Sequence, residues 1–261
     1  MTTRQPAVAG AFYPADAKQL NALVDHYLNA VKTPSTAPKA IIAPHAGFIY
    51  SGPVAASAYA RLKQASNIIH RVVLIGPSHR IGFKGLAVSR ANSFSTPLGE
   101  ITLDQQAIAK ISTLPYVEYL EKAHTYEHSL EVHLPFLQKT LQSFSLIPIV
   151  AGSADAKQVA EVLELLWGGR ETLIVISSDL SHYKDYNTAR QLDRMTSHHI
   201  EQLKYELLDM DAACGQVPVS GLLAVARKKQ LTIKTIDLRN SGDTAGDKHS
   251  VVGYGAYVIE P

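Results

Sequence analysis

The chain of 261 residues is 46% hydrophobic and carries a formal net charge of +2. This composition suffices for a large buried core, whereas the weak charge argues against a nucleic-acid partner, because phosphate binding needs a basic stripe. The single cysteine excludes an intramolecular disulfide. The sequence has neither a signal-peptide pattern nor the roughly 20 consecutive apolar residues of a membrane span. We therefore expect one cytoplasmic domain over residues 1–261, without a membrane partner.

Short apolar runs alternate along the chain with segments in which apolar residues recur at helical spacing. An ordered N-terminal arm is predicted at 5–14. Strands are predicted at 39–43, 72–75, 85–89, 145–151, 171–177, 231–238 and 251–260. Helices are predicted at 16–31, 53–64, 104–114, 155–167, 188–209 with a break allowed within it, and 217–229, with one more ending near 142. Pro53 is expected in the first turn of its helix, residues 31–38 in a linker and residues 91–100 in a turn-rich loop. This alternation predicts an α/β fold with a mostly parallel sheet covered by helices on both faces.

Histidines follow the predicted strands at corresponding positions. His45 comes directly after the strand at 39–43, and His79 comes just after the strand at 72–75. If those strands lie side by side and parallel, the two imidazoles meet at the carboxyl edge of the sheet, where α/β folds bind ligands. Two neutral imidazoles that converge are a common beginning of a metal site. The alternative for each histidine alone is a loop residue bonded to nearby backbone.

A third ligand could come from several residues. Two imidazoles with a carboxylate are typical of non-haem Fe(II) sites, and a carboxylate or thiolate would also suit catalytic zinc. The candidate carboxylates are Glu127, Glu131 and Asp179, and Cys214 offers a thiolate. Cys214 precedes a predicted helix, whose dipole is expected to lower the pKa of the thiol. The alternative is that Cys214 is a small buried apolar residue.

Residues 124–137 form the most polar-rich stretch of the chain. If a helix begins early there, Glu127, His128 and Glu131 share one face, and His133 lies on a different side. Some of these groups are expected to point into a lined cleft, although acids that complement a helix dipole are the alternative. Tyr50 follows a glycine-containing turn and is also placed in this cleft.

The sequence S-S-D-L-S-H at 177–182 follows a third buried strand. His182 is a candidate general base, because its pKa lies naturally near working pH. Asp179 could orient His182 or act behind a metal ligand, or it could simply cap the following segment. The G-x-S-x-G, P-loop, G-x-G-x-x-G and H-E-x-x-H motifs are absent from the sequence. A Cys214–His hydrolase pair remains conceivable but leaves the other histidines unexplained.

Several motifs together resemble the Memo family, whose bacterial and archaeal members are often labelled AmmeMemoRadiSam system protein B. They are P-H-A-G-F-I-Y-S-G at 44–52, G-P-S-H at 76–79, E-H-S-L-E-V-H-L-P-F at 127–136, S-S-D-L-S-H at 177–182, and S-G-D-T-A-G-D with V-V-G-Y-G-A at 241–256. The family is similar in fold to class III extradiol ring-cleaving dioxygenases. The resemblance therefore implies a three-layer αβα sandwich around a mixed, mostly parallel sheet.

The resemblance also implies roles for particular residues. It places His45, His79 and Cys214 where Memo proteins bind iron or copper, with zinc less expected. It places His182 where the related dioxygenases keep a catalytic base, Asp179 in the pocket, and residues 127–133 in the cleft wall. Cys214 departs from the ring-cleaving enzymes, which use a carboxylate as the third ligand. A thiolate binds Fe(II) or Cu(I) well but is itself oxidisable, which favours metal-linked redox chemistry over ordinary catechol cleavage.

Two functional hypotheses follow from these motifs. The first is a mononuclear iron or copper oxidoreductase of dioxygenase-like fold that uses O₂ and acts on a small aromatic substrate. The second is a non-catalytic module that retains the cleft and binds a peptide or a partner protein. By resemblance, the expected protein partners are a radical-SAM protein and an AMMECR-type protein.

Overall fold

A mixed sheet of nine strands forms the centre of the computed structural model, which describes residues 2–32 and 37–260. Residues 33–36 of the predicted linker lie outside the described residues. The strands are β1 (Thr3–Arg4), β2 (Ala40–Ala43), β3 (Arg71–Pro77), β4 (Leu86–Val88), β5 (Ser93–Thr96), β6 (Gly99–Thr102), β7 (Val117–Tyr119), β8 (Ser145–Ala151), β9 (Thr172–Ser177), β10 (His182–Lys184), β11 (Ile233–Asn240) and β12 (Val251–Ile259). The helices are α1 (Ala17–Asn29), α2 (Phe48–Tyr59), α3 (Gln105–Ile111), α4 (Glu121–Thr125), α5 (Leu134–Thr140), α6 (Ala156–Leu166), α7 (Tyr186–Glu201) and α8 (Gln216–Lys228). Short 3₁₀ helices cover Ala60–Ala65, Glu131–His133, Tyr205–Leu207 and Ser241–Asp243.

The central sheet has a parallel middle and antiparallel flanks. Its order is β10-β12-β2-β9-β3-β8-β4-β7, with β11 also paired to β12. Strands β2, β9, β3 and β8 run parallel, whereas β12 and β4 run antiparallel to their inner neighbours. Every residue of β2 and β9 is buried, as expected for strands covered on both faces. The predicted α/β fold is confirmed.

Two groups of helices cover the sheet. Helices α1, α2 and α5 contact one another, and α2 packs on β2 and β12. Helices α6 and α8 contact each other, and α8 packs on β3 and β9. The αβα layering implied by the family resemblance is therefore present. Within the described residues, no helix is both long and apolar enough to cross a membrane.

Two local predictions were wrong, both near the N-terminal arm. Helix α2 begins at Phe48, so Pro53 lies inside it rather than in its first turn. The early start is stabilised from outside the helix, because the Phe48 N–H donates to the Phe12 carbonyl (2.7 Å). The predicted loop at 91–100 instead contributes the hairpin of β5 and β6. It becomes a sheet because β1, which extends the ordered arm back to Thr3, pairs with β5, an interaction that local turn signals cannot reveal.

Candidate metal centre

The carboxyl ends of the parallel strands deliver two histidines to one place. Pro44 follows β2 and places His45 just beyond that strand, and His79 lies two residues past β3. From the sequence, these two strands are expected to lie side by side. In the structure they are not neighbours, because β9 lies between them. Their rings still approach to 5.0 Å between centroids. The strand between them ends in Ser177, level with Ala43 in the register, and this small side chain leaves room for both imidazoles.

A third imidazole completes the group. His128 lies 5.5 Å from His45 and 4.6 Å from His79 between ring centroids. One nitrogen from each of the three rings lies within 4.8 Å of the others, so these residues could hold a metal ion. His45 is buried at 2% exposure, His128 is half-buried, and His79 lies exposed at the rim. From the sequence, His128 is predicted only in the cleft wall.

Hydrogen bonds determine which nitrogen of His45 faces the cluster. The Ser177 hydroxyl donates its one proton to the Ser129 carbonyl (2.6 Å), so it must accept at its 2.6 Å contact with His45 Nδ1. Nδ1 therefore carries the proton and Nε2 carries the lone pair. Burial, followed by the neighbouring histidines, holds the pKa of His45 well below its usual range. His45 is thus a neutral imidazole with Nε2 available as a ligand.

Glu127 fixes which nitrogen of His79 carries the proton, as Ser177 does for His45. Its Oε1 lies 3.0 Å from His79 Nδ1, and its Oε2 accepts the His79 backbone N–H at 2.6 Å. Burial raises the pKa of Glu127, but the hydrogen bonds from His79 and Ser129 outweigh it and lower the pKa to about 2. An ionised carboxylate at Nδ1 leaves Nε2 of His79 as the ligand atom, an arrangement common behind metal-binding histidines.

His128 is held differently. Its Nδ1 lies 3.3 Å from Glu127 Oε1, yet the geometry is not that of a hydrogen bond, and among residues 2–32 and 37–260 this buried nitrogen has no partner. Burial, then the nearby His79, lowers the pKa of His128 to about 4. A neutral imidazole with an unpaired buried nitrogen fits a metal ligand, because a bound cation would satisfy it.

Cys214 adjoins the same cluster. Its Sγ lies 3.4 Å from His45 Nε2 and accepts the Asp179 backbone N–H at 3.3 Å. The expectation that a helix dipole lowers the pKa of this thiol is wrong, since burial, and next the Asp179 carboxylate, raise it to about 12. Without a cation beside it, Cys214 is therefore a thiol. A metal ion would favour the thiolate, as metals do with coordinating cysteines.

Asp179 and His182 occupy different parts of the site. Asp179 Oδ1 accepts the backbone N–H of His45 at 2.7 Å, and burial raises the pKa of Asp179 to about 7. His182 is the first residue of β10 and lines the cavity in front of the cluster. Burial lowers the pKa of His182. The carboxylate thus supports the loop of His45 rather than the ring of His182.

The cluster opens into a cavity of about 910 Å³, a size typical of small-molecule sites. The three histidines, Asp179, His182 and Cys214 all line it. Four aromatic residues also line it, namely Phe12, Tyr50, Tyr183 and Tyr254, together with the charged residues Lys184, Asp211 and Asp247.

The segment predicted as the cleft wall is not a helix over 127–130, so its side chains diverge. Glu131 turns away from the cavity and accepts hydrogen bonds from the N-terminal arm. His133 is buried in the interior, where its Nδ1 lies 2.8 Å from the Tyr59 hydroxyl. Only His128 of this segment lines the cavity, while Glu127 lies behind His79.

A comparison with family models matches residues 4–258 to the model described as "Memo-like protein". The chain belongs to the Memo-like protein family. A MEMO1 family protein of Aquifex aeolicus is 39% identical over 97% of this chain and 98% of its own length. Another, from Sulfolobus acidocaldarius, is 34% identical over 96% of this chain and 97% of its own length.

One solved structure shares the fold of this Memo family chain. The crystal structure of the uncharacterized protein JW3007 from Escherichia coli K12 aligns with a TM-score of 0.52 and 13% identity, covering 84% of this chain and 98% of that chain. At this identity the likeness concerns the fold alone.

A second cavity, of about 710 Å³, lies at the opposite edge of the sheet of this Memo protein. Lys39, Trp167 and Lys229 line it. The Lys39 ammonium donates to three backbone carbonyls, those of Trp167, Gly169 and Thr172. Because that charge is already satisfied by the backbone and the side chains that could hold a metal ion converge elsewhere, the histidine cavity is the candidate functional site.

Proposed function

We propose that this Memo family protein binds one iron or copper ion through His45, His79 and His128, with Cys214 as a further donor, and uses it for O₂-dependent oxidation of a small aromatic compound. The observation that carries the proposal is the convergence of imidazoles whose second nitrogens are already engaged. Ser177 holds His45 and Glu127 holds His79 through Nδ1, which leaves Nε2 of each ring for a metal ion, and one nitrogen of each of the three rings lies within 4.8 Å of the others.

The donor set favours iron or copper. Imidazole suits zinc, copper and iron, and a soft thiolate adds affinity for Cu(I) or Fe(II). The Cys214 thiol lies beside His45 and supplies that softness. Bound iron or copper would supply one-electron redox chemistry, which zinc and the amino-acid side chains do not.

The protein residues around the site would bind the substrate and move its proton. His182 lines the cavity and is held neutral by burial, so it can accept a proton from a substrate hydroxyl. The rings of Phe12, Tyr50 and Tyr254 provide flat apolar walls that fit an aromatic ring. Asp179 keeps the His45 loop in place through its 2.7 Å hydrogen bond.

The test is metal stoichiometry in single-histidine variants. Wild type, His45→Ala, His79→Ala and the matched surface control His26→Ala would be reconstituted anaerobically with Fe(II) or Cu(I), desalted and analysed for bound metal. We expect about one equivalent in wild type and the control, and loss of stoichiometric binding in the other two with the circular dichroism spectrum preserved. Full retention in both cavity variants would refute the metal site.

Turnover is tested separately. Oxygen uptake by the reconstituted protein would be followed against a panel of catechols and other small phenols. Uptake that depends on one of them, and is lost in His182→Ala, supports the oxidase proposal. Stoichiometric metal without uptake on any of them would instead favour the peptide- or protein-binding hypothesis.

A further inference from the structure

A buried glutamate holds the N-terminal arm against the segment that carries His128. Glu131 has a fully buried side chain, and within residues 2–32 and 37–260 its four hydrogen bonds all come from the arm. They are donated by the Arg4 guanidinium, the Ala7 N–H (2.7 Å), the Val8 N–H (2.9 Å) and the Tyr13 hydroxyl (2.6 Å). Burial, and then the Glu131 charge, raise the pKa of Tyr13, so its hydroxyl remains a donor.

Arg4 attaches the arm at two more points of the same segment. Its Nε donates to the His124 carbonyl and its second terminal nitrogen to the Glu127 carbonyl, each at 2.8 Å. Arg4 is nearly as buried as Glu131, with 8% of its side chain exposed. The arm is therefore bonded on both sides of His128, at residues 127 and 131.

This anchored arm makes a tight turn that presents Phe12 to the cavity. The N–H groups of Ala11 and Phe12 both donate to the Val8 carbonyl. Gly10 adopts φ +83° at the tip, a conformation that favours glycine. Phe12 also accepts the Phe48 N–H through its own carbonyl. The backbone of Phe12 is thus held from both sides.

The ring of Phe12 packs on the ring of His128. Their centroids are 4.8 Å apart, and both rings line the cavity. His45 and His79 are each held by a hydrogen bond at Nδ1, to Ser177 and Glu127 respectively, whereas no hydrogen bond holds the ring of His128 in the described part of the chain. Packing against Phe12 on one side and against the His79 ring, 4.6 Å away between centroids, on the other therefore sets the orientation of this imidazole.

We infer that the N-terminal arm is a positioning element of the metal centre, in which Phe12 orients the His128 ring and Glu131 holds the turn that carries Phe12. The inference rests on the proposed metal binding. Phe12 acts through His128 and is a positioning residue rather than a ligand. Loss of a hydrogen-bonded outer partner of a metal ligand lowers metal affinity by about 10–100-fold. Because Phe12 only packs on His128, we expect removal of its ring to weaken binding by the lower end of that range, about 10-fold.

The experiment uses Co(II) as the probe, because its visible spectrum reports coordination geometry. Affinity, stoichiometry and spectrum would be measured for wild type, Phe12→Ala, Phe12→Tyr and Phe144→Ala, with thermal midpoints for each. Phe144 is a matched control, since it is also half-buried against the core but precedes β8 at the opposite edge of the sheet. Proton NMR of the metal-free proteins would follow the nuclear Overhauser contacts between the His128 and His79 rings, because these report the orientation of His128 whereas its chemical shifts would change with the loss of any neighbouring ring.

In Phe12→Ala we expect weaker Co(II) binding, an altered spectrum and weaker through-space contacts between the His128 and His79 rings. Phe12→Tyr, which keeps the ring, should restore all three, and Phe144→Ala should lower only the thermal midpoint. Wild-type affinity and unchanged His128–His79 contacts in Phe12→Ala would overturn the inference while leaving the metal site intact. If wild type binds neither Co(II) nor, in the stoichiometry test, Fe(II) or Cu(I), the proposed function fails, and the inference fails with it.

Discussion

Replacing Glu131 with glutamine should strongly destabilise the folded protein, although Glu131 does not line the cavity. The substitution keeps the shape of the side chain but removes the charge opposite Arg4, whose side chain is only 8% exposed. One carboxylate oxygen accepts from Arg4 and Ala7, and the other accepts from Val8 and Tyr13. In glutamine one of these oxygens is replaced by an NH₂ group, so one of the two pairs of donors loses its acceptor. Breaking one side of a buried ion pair costs about 3–5 kcal/mol.

The expected loss is measurable in urea. The midpoint of unfolding should fall in proportion to that free energy while the slope with denaturant stays the same. Since about 1 kcal/mol shifts Tm by roughly 2–4 °C in a chain of this size, Tm should fall by about 10 °C. A double variant, Arg4→Met with Glu131→Gln, should lose less than the sum of the single variants, because neither charge is then left unpaired.

A small effect would refute this reasoning. If Glu131→Gln loses under about 1 kcal/mol, the value typical of an exposed ion pair, then Arg4 and Glu131 are effectively solvated and the arm is not held as described. Strict additivity of the two substitutions would point the same way, since it would show that the two groups do not interact.

Three further predictions concern the site and its surroundings. Ser177→Ala removes the acceptor that holds the His45 proton on Nδ1 and should weaken metal binding by about 10–100-fold, measured by competition with a chelator; unchanged affinity would contradict the tautomer assigned to His45. Cys214→Ser should retain about one Cu(II) or Co(II) equivalent on the three imidazoles but lose the sulfur-to-metal charge-transfer absorption, and identical spectra would exclude Cys214 as a donor. Burial raises the pKa of Asp193 from 3.8 to about 6. Below pH 3.8 the carboxyl is protonated in both the folded and the unfolded chain, so the folded protein keeps its full stability there. As the pH rises through 6 the unfolded chain loses this proton more readily than the folded one, and that stability is lost. Asp193→Asn should therefore gain stability relative to wild type between pH 4 and pH 7, by up to about 3 kcal/mol, and a urea series that shows no such trend would refute it.

Local sequence patterns predict the elements that lead into the site, whereas contacts between distant residues do not show in such patterns. Residue patterns located the strands that precede His45 and His79 to within a few residues, and Asp16 caps α1 as predicted. These features depend on periodicity and on hydrogen bonds between residues close in the chain, and such patterns are visible in the order of amino acids.

The α-helix predicted from residue spacing at 127–133 is absent from the structure. A helical periodicity placed Glu127, His128 and Glu131 on one face, but the chain makes a turn there and then a 3₁₀ helix at Glu131–His133. The three side chains consequently point to His79, to the cavity and to the arm. No sequence signal marked His128 as a metal ligand, although its position beside a glutamate that also bonds His79 would identify it once the fold is known.

The sequence by itself determined the α/β class, the family, and the two histidines that follow buried strands. Tertiary structure alone decided that β9 separates those strands, that His128 joins the cluster, and that residues 4–13 saturate a carboxylate more than a hundred positions away. It also decided that burial raises, rather than lowers, the pKa of Cys214. The physical reason is that hydrophobic periodicity specifies which face of an element is buried, whereas the neighbour it meets depends on strand order and on contacts between distant parts of the chain.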